Sequence, residues 1–292
     1  MSATATSRTE APETVAAALR RVSTRLALAG IERAQAEARL LVEAATGASR
    51  AEIIGFGERM LGTAQSESLE HLVARRCLRE PVSRILGKRE FWSLPFAVTP
   101  ATLDPRPDSE TLVSAVLEEI GDRQAALEIL DLGTGTGCLL LALLSELPRA
   151  RGTGVDVAPE AVATAQGNAA ALGLADRAAF VVGDWARDIN ARFHVVISNP
   201  PYIESAAVSG LQPEVARFDP AAALDGGPDG LAAYRLLIPQ AAERLVPGGL
   251  MALEIGAGQA ESVDRLAADA GFTAVGTVHD LAGIPRCLLF RK

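Results

Sequence analysis

Residue types that bind metals or form disulfides are scarce in this chain of 292: it has three cysteines and three histidines. Cys77, Cys138 and Cys287 lack the paired spacing of a zinc site or a disulfide framework, and His71, His194 and His279 lie just as far apart. No metal centre is expected, and each of these residues reads as an ordinary core or surface position. No apolar run approaches the roughly 20 residues of a membrane-spanning helix, and "MSATATSRTEAPET" has no basic segment leading into an apolar core. The expectation is a cytoplasmic protein with no membrane association. Positive charge is also short: 28 basic side chains stand against 36 acidic ones, a net charge of −8. Residues 1–100 carry 14 basic and 11 acidic side chains, net +3, whereas residues 101–292 carry 14 and 25, net −11. Binding to duplex DNA is dominated by phosphate contacts and calls for a broad basic surface, so the charge argues against a direct nucleic-acid substrate. The basic cluster "RRCLREPVSRILGKRE", Arg75 to Glu90, reads as a solvated helix face.

What is present divides the chain. At about 150 residues per domain, the length suggests two domains. "VAAALRRVSTRLALAG" places Ala18, Leu19, Val22, Leu26 and Leu28 at mixed three- and four-residue steps with Gly30 as a stop, and "ERAQAEARLLVEAATG" repeats the device up to Gly47. Short gaps between such helices predict a small antiparallel bundle over residues 1–80. Its separate texture, its positive charge and its lack of any catalytic constellation point to docking of a substrate. Over residues 81–107, Phe91, Leu94, Phe96 and Val98 alternate loosely among prolines, which predicts a hairpin-like linker. After Pro107 a helix opens with acidic residues in its first turn, as the helix dipole favours, and a third region, 108–292, begins. From about Ala126, apolar strands alternate with helices from "ALEILDLG" to the closing "TAVGTVHD" and "RCLLFRK". That alternation predicts an α/β fold on a doubly wound, mostly parallel sheet. Its ligand belongs outside the carboxyl ends of the strands, where strand order reverses.

The loops after the strands carry the chemistry. The first strand ends in "DLGTGTGC", where Gly133, Gly135 and Gly137, with Thr134 and Thr136 between them, permit a tight turn and close approach of a ligand to the backbone. The spacing is G-x-G-x-G followed by Cys138, so the dinucleotide pattern G-x-G-x-x-G is not met, and Asp131 would repel a phosphate. The second strand ends near Asp156, whose carboxylate can accept two hydrogen bonds from a ribose diol. The third runs into Asp184, suited to an adenine amino group, and Trp185, which offers a ring face to the base. Each alone is an ordinary strand-end residue. Together, in successive loops of one sheet, they imply a ligand with a nucleoside and no phosphate. S-adenosylmethionine fits better than NAD.

The fourth strand closes in "NPPY". Asn199 offers a side-chain carbonyl oxygen and Pro200 a main-chain one; Pro201 biases Pro200 toward an extended conformation and both prolines fix φ. This rigid pair of acceptors suits a planar NH2 group, a poor nucleophile because its lone pair is delocalised. Gripping both hydrogens orients the nitrogen toward a methyl group and stabilises the charge that develops on it. Tyr202 can pack on the flat face of the substrate. A glutamine amide and an adenine amine both present such a group. The motif therefore leaves a protein-glutamine methyltransferase, an adenine-N6 methyltransferase acting on nucleic acid, and a non-catalytic S-adenosylmethionine-binding module. A duplex-acting enzyme must flip its base and usually carries a basic target-recognition face, which the acidic C-terminal region argues against; the intact acceptor pair argues against the module.

With these residues in view, the chain resembles the bacterial release factor glutamine methyltransferases, of the protein-(glutamine-N5) methyltransferase family, over nearly its whole length. "EPVSRILGKREFWSLPFAV", "RPDSE", "DLGTGTG" and "NPPYI" are similar to the family's linker, helix-opening motif, cofactor loop and active site. "ALDGGPDGLAAYR", "PGGLMALEIGAGQ" and "DLAGIPR" match blocks that general amine methyltransferases lack, whereas the N-terminal helices match in kind only. The resemblance implies a Rossmann-like, seven-stranded methyltransferase sheet. It implies that Gly133 to Gly137, Asp156 and Trp185 hold the cofactor, and that Asn199 to Tyr202, with Asn199 beside the cofactor, hold the glutamine of a Gly-Gly-Gln loop in class 1 peptide chain release factors. Two departures stand out: Asp104 replaces the apolar residue usual before "PRP", and Asp219 stands where the family tends to carry glutamate.

Overall fold

The computed structural model describes residues 13–280 and 282–292; nearly all of "MSATATSRTEAPET" lies outside the described residues. Helix α1, Val15–Leu28, begins where the Thr14 hydroxyl accepts the Ala17 N–H at 3.2 Å, pairing one of the donors that a helix start leaves without a partner. Helix α2, Ala34–Thr46, ends at Gly47 in the left-handed region, φ 69°. A Ser49–Glu52 capping box starts α3, Arg50–Gly55, and α4, Thr63–Cys77, and α5, Val82–Leu86, complete the first unit. Ala18, Val22 and Leu26 of α1 meet Ala38, Leu41 and Val42 of α2 and Leu69 and Val73 of α4 in one buried cluster. Leu28 leaves that face and is 85% exposed, because residues two apart on a helix point in nearly opposite directions. The basic cluster differs from a solvated face at its start. Arg76 is only 4% exposed and donates to Glu37 at 2.5 Å, and Arg75 holds Glu80 at 2.5 Å.

The chain divides between Leu86 and Gly87. The expected linker 81–107 is split accordingly, α5 falling in the first unit and the hairpin of β1, Lys88–Phe91, and β2, Leu94–Ala97, in the second. Trp92 and Ser93 both adopt positive φ, 52° and 57°, as the twist of a two-residue hairpin turn requires. Phe91 and Phe96 then meet edge to face at 6.3 Å.

The second unit is a seven-stranded sheet flanked by helices. Its strands are β3 (Glu128–Leu132), β4 (Arg151–Asp156), β5 (Ala178–Val182), β6 (Phe193–Ser198), β7 (Leu245–Glu254), β8 (Thr273–His279) and β9 (Pro285–Arg291), in the order β5-β4-β3-β6-β7-β9-β8. The first five in that order run parallel, and β9 is antiparallel to both neighbours. Alternation along β3 sends Ile129 into a cluster with α6 (Glu110–Ile120), α7 (Cys138–Glu146) and α8 (Pro159–Ala171), and Leu130 and Leu132 into a second with α11 (Ala232–Arg244) and α12 (Ala260–Asp269). The two remaining helices, α9 (Ser205–Val208) and α10 (Pro213–Ala216), lie between β6 and α11 in the chain. This is the doubly wound α/β sheet the alternation predicts, with its order reversing where β3 meets β6. Among the described residues no helix is long and apolar enough to cross a membrane.

Candidate active site

The loops after β3, β4, β5 and β6 surround a cavity of about 250 Å³. The glycine turn contributes Gly133, Thr134, Gly135 and Thr136, while β4 contributes Asp156, β5 Asp184 and Trp185, and β6 Asn199 and Pro201. Gly137 and Pro200 are not in its wall. Gly137, φ 78°, precedes α7, and a Cβ there would stand 3.2 Å from Ala165 and Phe180. It serves the close packing of helix on sheet. The turn is held from β4: Gly133 N–H and Thr134 N–H both donate to Val155 O at 2.9 Å. Gly135 N–H and Ala158 N–H donate to the two Asp156 oxygens at 2.8 and 3.0 Å, and each oxygen keeps capacity for a further donor. Trp185 adopts φ 56°, which a residue with a side chain rarely does, and its ring lies 3.6 Å from where a Cβ on Gly133 would stand. Asp184 pairs with Arg187 at 2.8 Å and is half-exposed.

A second cavity of about 290 Å³ shares Asn199 with the first. The Asn199 Nδ2 group donates to Ser109 Oγ at 3.1 Å, so the carbonyl oxygen is the end turned away from Ser109. Tyr202 lines the second cavity and its hydroxyl donates to Glu254 Oε1 at 3.3 Å. The main chain at Tyr202 is clamped. Gln259 Nε2 donates to Tyr202 O at 2.9 Å and to Gly230 O at 3.2 Å, while its Oε1 accepts Gly256 N–H at 2.9 Å. Only glycine fits at position 230, since a Cβ would stand 2.5 Å from Tyr202 O. The blocks "ALDGGPDGLAAYR" and "LEIGAGQ" thus act as one bracket on the loop after β6. "DLAGIPR" has a local role too: Asp280 accepts from the Arg286 guanidinium at 2.9 Å, and Arg286 lines the second cavity; Leu281 lies outside the described residues. The two departures are neighbours, with Asp104 N–H donating to Asp219 at 3.4 Å and Arg106 binding Asp219 at 2.5 Å.

Burial dominates the electrostatics. It raises the Asp131 carboxyl to about 7, helped by the Asp156 charge and opposed by the Thr134 hydroxyl, which donates to Asp131 at 2.6 Å. It raises Glu254 to about 7 as well, and pushes the Cys138 thiol up to about 12 and the Tyr202 phenol higher still. Neither thiolate nor phenolate chemistry is therefore set up at neutral pH.

Three residues escaped the sequence reading. Ser109 and Glu254 lie inside quoted motifs without a role assigned to them, although a carboxylate closing an apolar strand was a visible signal. Asn168 gave none: in mid-helix, 2% exposed, it accepts Ala97 N–H at 2.8 Å and donates to Ala97 O at 3.1 Å and Thr136 O at 2.9 Å. It ties the hairpin to the glycine turn.

Residues 17–87 match the PrmC N-terminal domain and residues 101–214 the Methyltransferase small domain. The release factor glutamine methyltransferase of Rhodospirillum rubrum is 50% identical over 271 residues, 92% of this chain and 82% of that protein. Its counterpart from Bradyrhizobium diazoefficiens is 46% identical over 283 residues, 96% and 95% of the two chains. Among solved structures, the hMettl16 catalytic domain in complex with MAT2A 3'UTR hairpin 6 has a TM-score of 0.56 at 17% identity, covering 75% of this chain and 81% of that one. At that identity the likeness is one of fold.

Proposed function

As the chain belongs to the release factor glutamine methyltransferase family, we propose that it transfers a methyl group from S-adenosylmethionine to the side-chain amide nitrogen (N5) of the glutamine in the Gly-Gly-Gln loop of class 1 peptide chain release factors. The observation that carries this reading is the position of Asn199, on the wall of both cavities with its NH2 end turned to Ser109. Its carbonyl oxygen is then the end that can receive an N–H donor where the cavities adjoin.

The first cavity suits the cofactor's chemistry: two carboxylates on its wall, Asp156 and Asp184, disfavour a phosphate, and a carboxylate, an indole and open main chain favour a nucleoside. When bound, S-adenosylmethionine supplies a methyl group on a sulfonium sulfur. Asp156 receives the ribose hydroxyls, Trp185 faces the base, and Asp184 takes an adenine N–H while keeping Arg187. Asn199 Oδ1 and Pro200 O each accept one hydrogen of the glutamine amide, and Tyr202, locked by Gln259 and Glu254, supports its flat face. On taking that methyl group, with the sulfur keeping the electron pair of its bond to carbon, the amide nitrogen would give up one proton to water. Fixed acceptors stabilise the positive charge on that nitrogen without having to reorganise. The helical bundle docks the body of the release factor.

The test is incubation with methyl-labelled cofactor and purified release factor, then mass spectrometry of the Gly-Gly-Gln peptide. The expected result is one added methyl on glutamine and none after Gln→Asn in that loop, since near-attack geometry tolerates little displacement. Label on unmodified DNA with none on the release factor would overturn it.

A further inference from the structure

Trp185 walls the first cavity from a backbone conformation that its residue type disfavours. Trp185 and Ala186 are the inner residues of a turn that Arg187 N–H closes on Asp184 O at 3.3 Å. Trp185 has φ 56° and Ala186 does not share the positive φ, a combination that turns ordinarily reserve for glycine, asparagine or aspartate at the first inner place. A tryptophan stays there only while its surroundings hold it. Two features of Ala186 do so. Its side chain is 0% exposed, in the cluster that α11 makes with the sheet, which fixes its Cα. Its N–H donates to Gln240 Oε1 at 2.8 Å, across 54 residues of chain, which fixes the direction of the peptide between 185 and 186.

That direction and the φ of Trp185 are coupled. With the Ala186 Cα pinned, a return of Trp185 to negative φ reorients the 185–186 peptide and withdraws Ala186 N–H from Gln240. It also swings the indole off the glycine turn, where the ring now lies 3.6 Å from the place of a Gly133 Cβ. Only the oxygen of a carboxamide can receive an N–H, so the Gln240 amide is itself oriented by the contact. Gln240 lines neither cavity and acts through Ala186. We propose that Gln240 is a positioning residue for the cofactor: by accepting Ala186 N–H it keeps the turn after β5 in the conformation that lays the Trp185 indole along the cavity wall with Asp184 beside it. The inference rests on the reading of Trp185 and Asp184 as the groups that meet the base, and deepens it with a determinant of affinity outside the cavity.

Gln240 is half-buried on α11, and leucine suits both the helix and the site. Gln240→Leu removes the acceptor, whereas Gln240→Glu keeps an acceptor oxygen at the same reach. Calorimetry of the full-length protein with S-adenosylmethionine should show binding about three- to tenfold weaker in Gln240→Leu, the range for one hydrogen bond, and restored in Gln240→Glu. In turnover with release factor the loss should fall on the KM for the cofactor, with kcat retained. A second readout needs no ligand. The chain has two tryptophans, so in a Trp92→Phe background the fluorescence belongs to Trp185; its emission should move to longer wavelength in Gln240→Leu and keep its position in Gln240→Glu. A cycle with Trp185→Gly separates positioning from a general loss of stability. Glycine takes positive φ freely and has no ring to place, so Gln240→Leu should weaken binding no further in that background. Unchanged affinity in Gln240→Leu, an unmoved Trp185 emission, or an equal loss in the Trp185→Gly background overturns the inference. A wild type that binds no S-adenosylmethionine would overturn the functional reading instead, while the Trp185 emission would still judge the hold of Gln240 on the turn.

Discussion

Charge is treated in opposite ways in the two units. In the helical bundle, Arg21 binds Glu13 at 3.0 Å and Glu70 at 2.5 Å, Arg25 binds Glu70 at 2.5 Å, and the buried Arg76 binds Glu37 at 2.5 Å. Around the cavities of the sheet, Asp131 and Glu254 are buried and each has one oxygen with no hydrogen-bond partner. The first arrangement satisfies its charges and serves the fold. The second keeps charges that oppose it, which natural sequences do mainly where a site requires them.

The largest effect that would break this comparison belongs to Asn199. Asn199→Ala should lower turnover by about a hundredfold or more, the usual loss for one preorganised polar contact, with cofactor affinity changing less. Single-turnover rates beside calorimetry decide it; equal losses in both would make Asn199 chiefly a cofactor residue. Next comes Asp156→Ala, which removes a charged acceptor from the first cavity and should weaken cofactor binding by about 1.5–3 kcal/mol, roughly ten- to a hundredfold. Unchanged affinity in calorimetry would remove Asp156 from the site.

Stability sharpens the comparison further. Glu254 ionises near 7 in the folded chain and near its ordinary 4.5 when unfolded. Between those values the native state holds a proton that the unfolded state has released, so stability falls as pH rises through that window. Glu254→Gln removes the penalty and should stabilise the protein by about 1–3 kcal/mol at pH 8, with little effect near pH 4, in urea unfolding at the two pH values. A destabilised variant at pH 8 would show that the carboxylate serves the fold after all.

These residues also mark what the sequence could reveal. The strands and their alternation with helices follow from local apolar runs, whereas the antiparallel place of β9 between β7 and β8 does not, and the first-cavity residues follow from position, since a loop after a parallel strand opens toward the ligand. Ser109, Glu254 and Asn168 act through partners far along the chain: 90 residues separate Asn199 from Ser109, 52 separate Tyr202 from Glu254, and 71 separate Asn168 from Ala97. Only tertiary packing brings such pairs together, so no local pattern announces them. The same limit explains Arg76, whose burial depends on Glu37 of another helix, and the split of residues 81–107 between two units.

In the bundle, a smaller effect tests docking. Ile54, within α3, and Phe56, at its end, are 71% and 67% exposed, where apolar side chains gain nothing from the fold. Replacing both with serine should raise the apparent KM for the release factor by several-fold, about 1 kcal/mol, and leave kcat and cofactor affinity unchanged. An unchanged KM would move the docking surface elsewhere.

The smallest effect comes from the bundle's own ion pairs. Burial works against ionisation of Glu70, but the hydrogen bonds and charges of Arg21 and Arg25 outweigh it, and its pKa is lowered. A lowered carboxylate stabilises the native state above its unfolded pKa, and that contribution disappears as pH falls through the folded value. All three side chains are about a third exposed or more, so water and salt screen the attraction. Glu70→Gln should therefore cost about 0.5–1 kcal/mol at pH 7 and low salt, less in 1 M salt, and nothing measurable near pH 3. Urea unfolding under the three conditions measures it. A loss above about 2 kcal/mol that survives high salt would mean that Glu70 is held as tightly as the carboxyls of the sheet, and the contrast between the two units would no longer rest on charge.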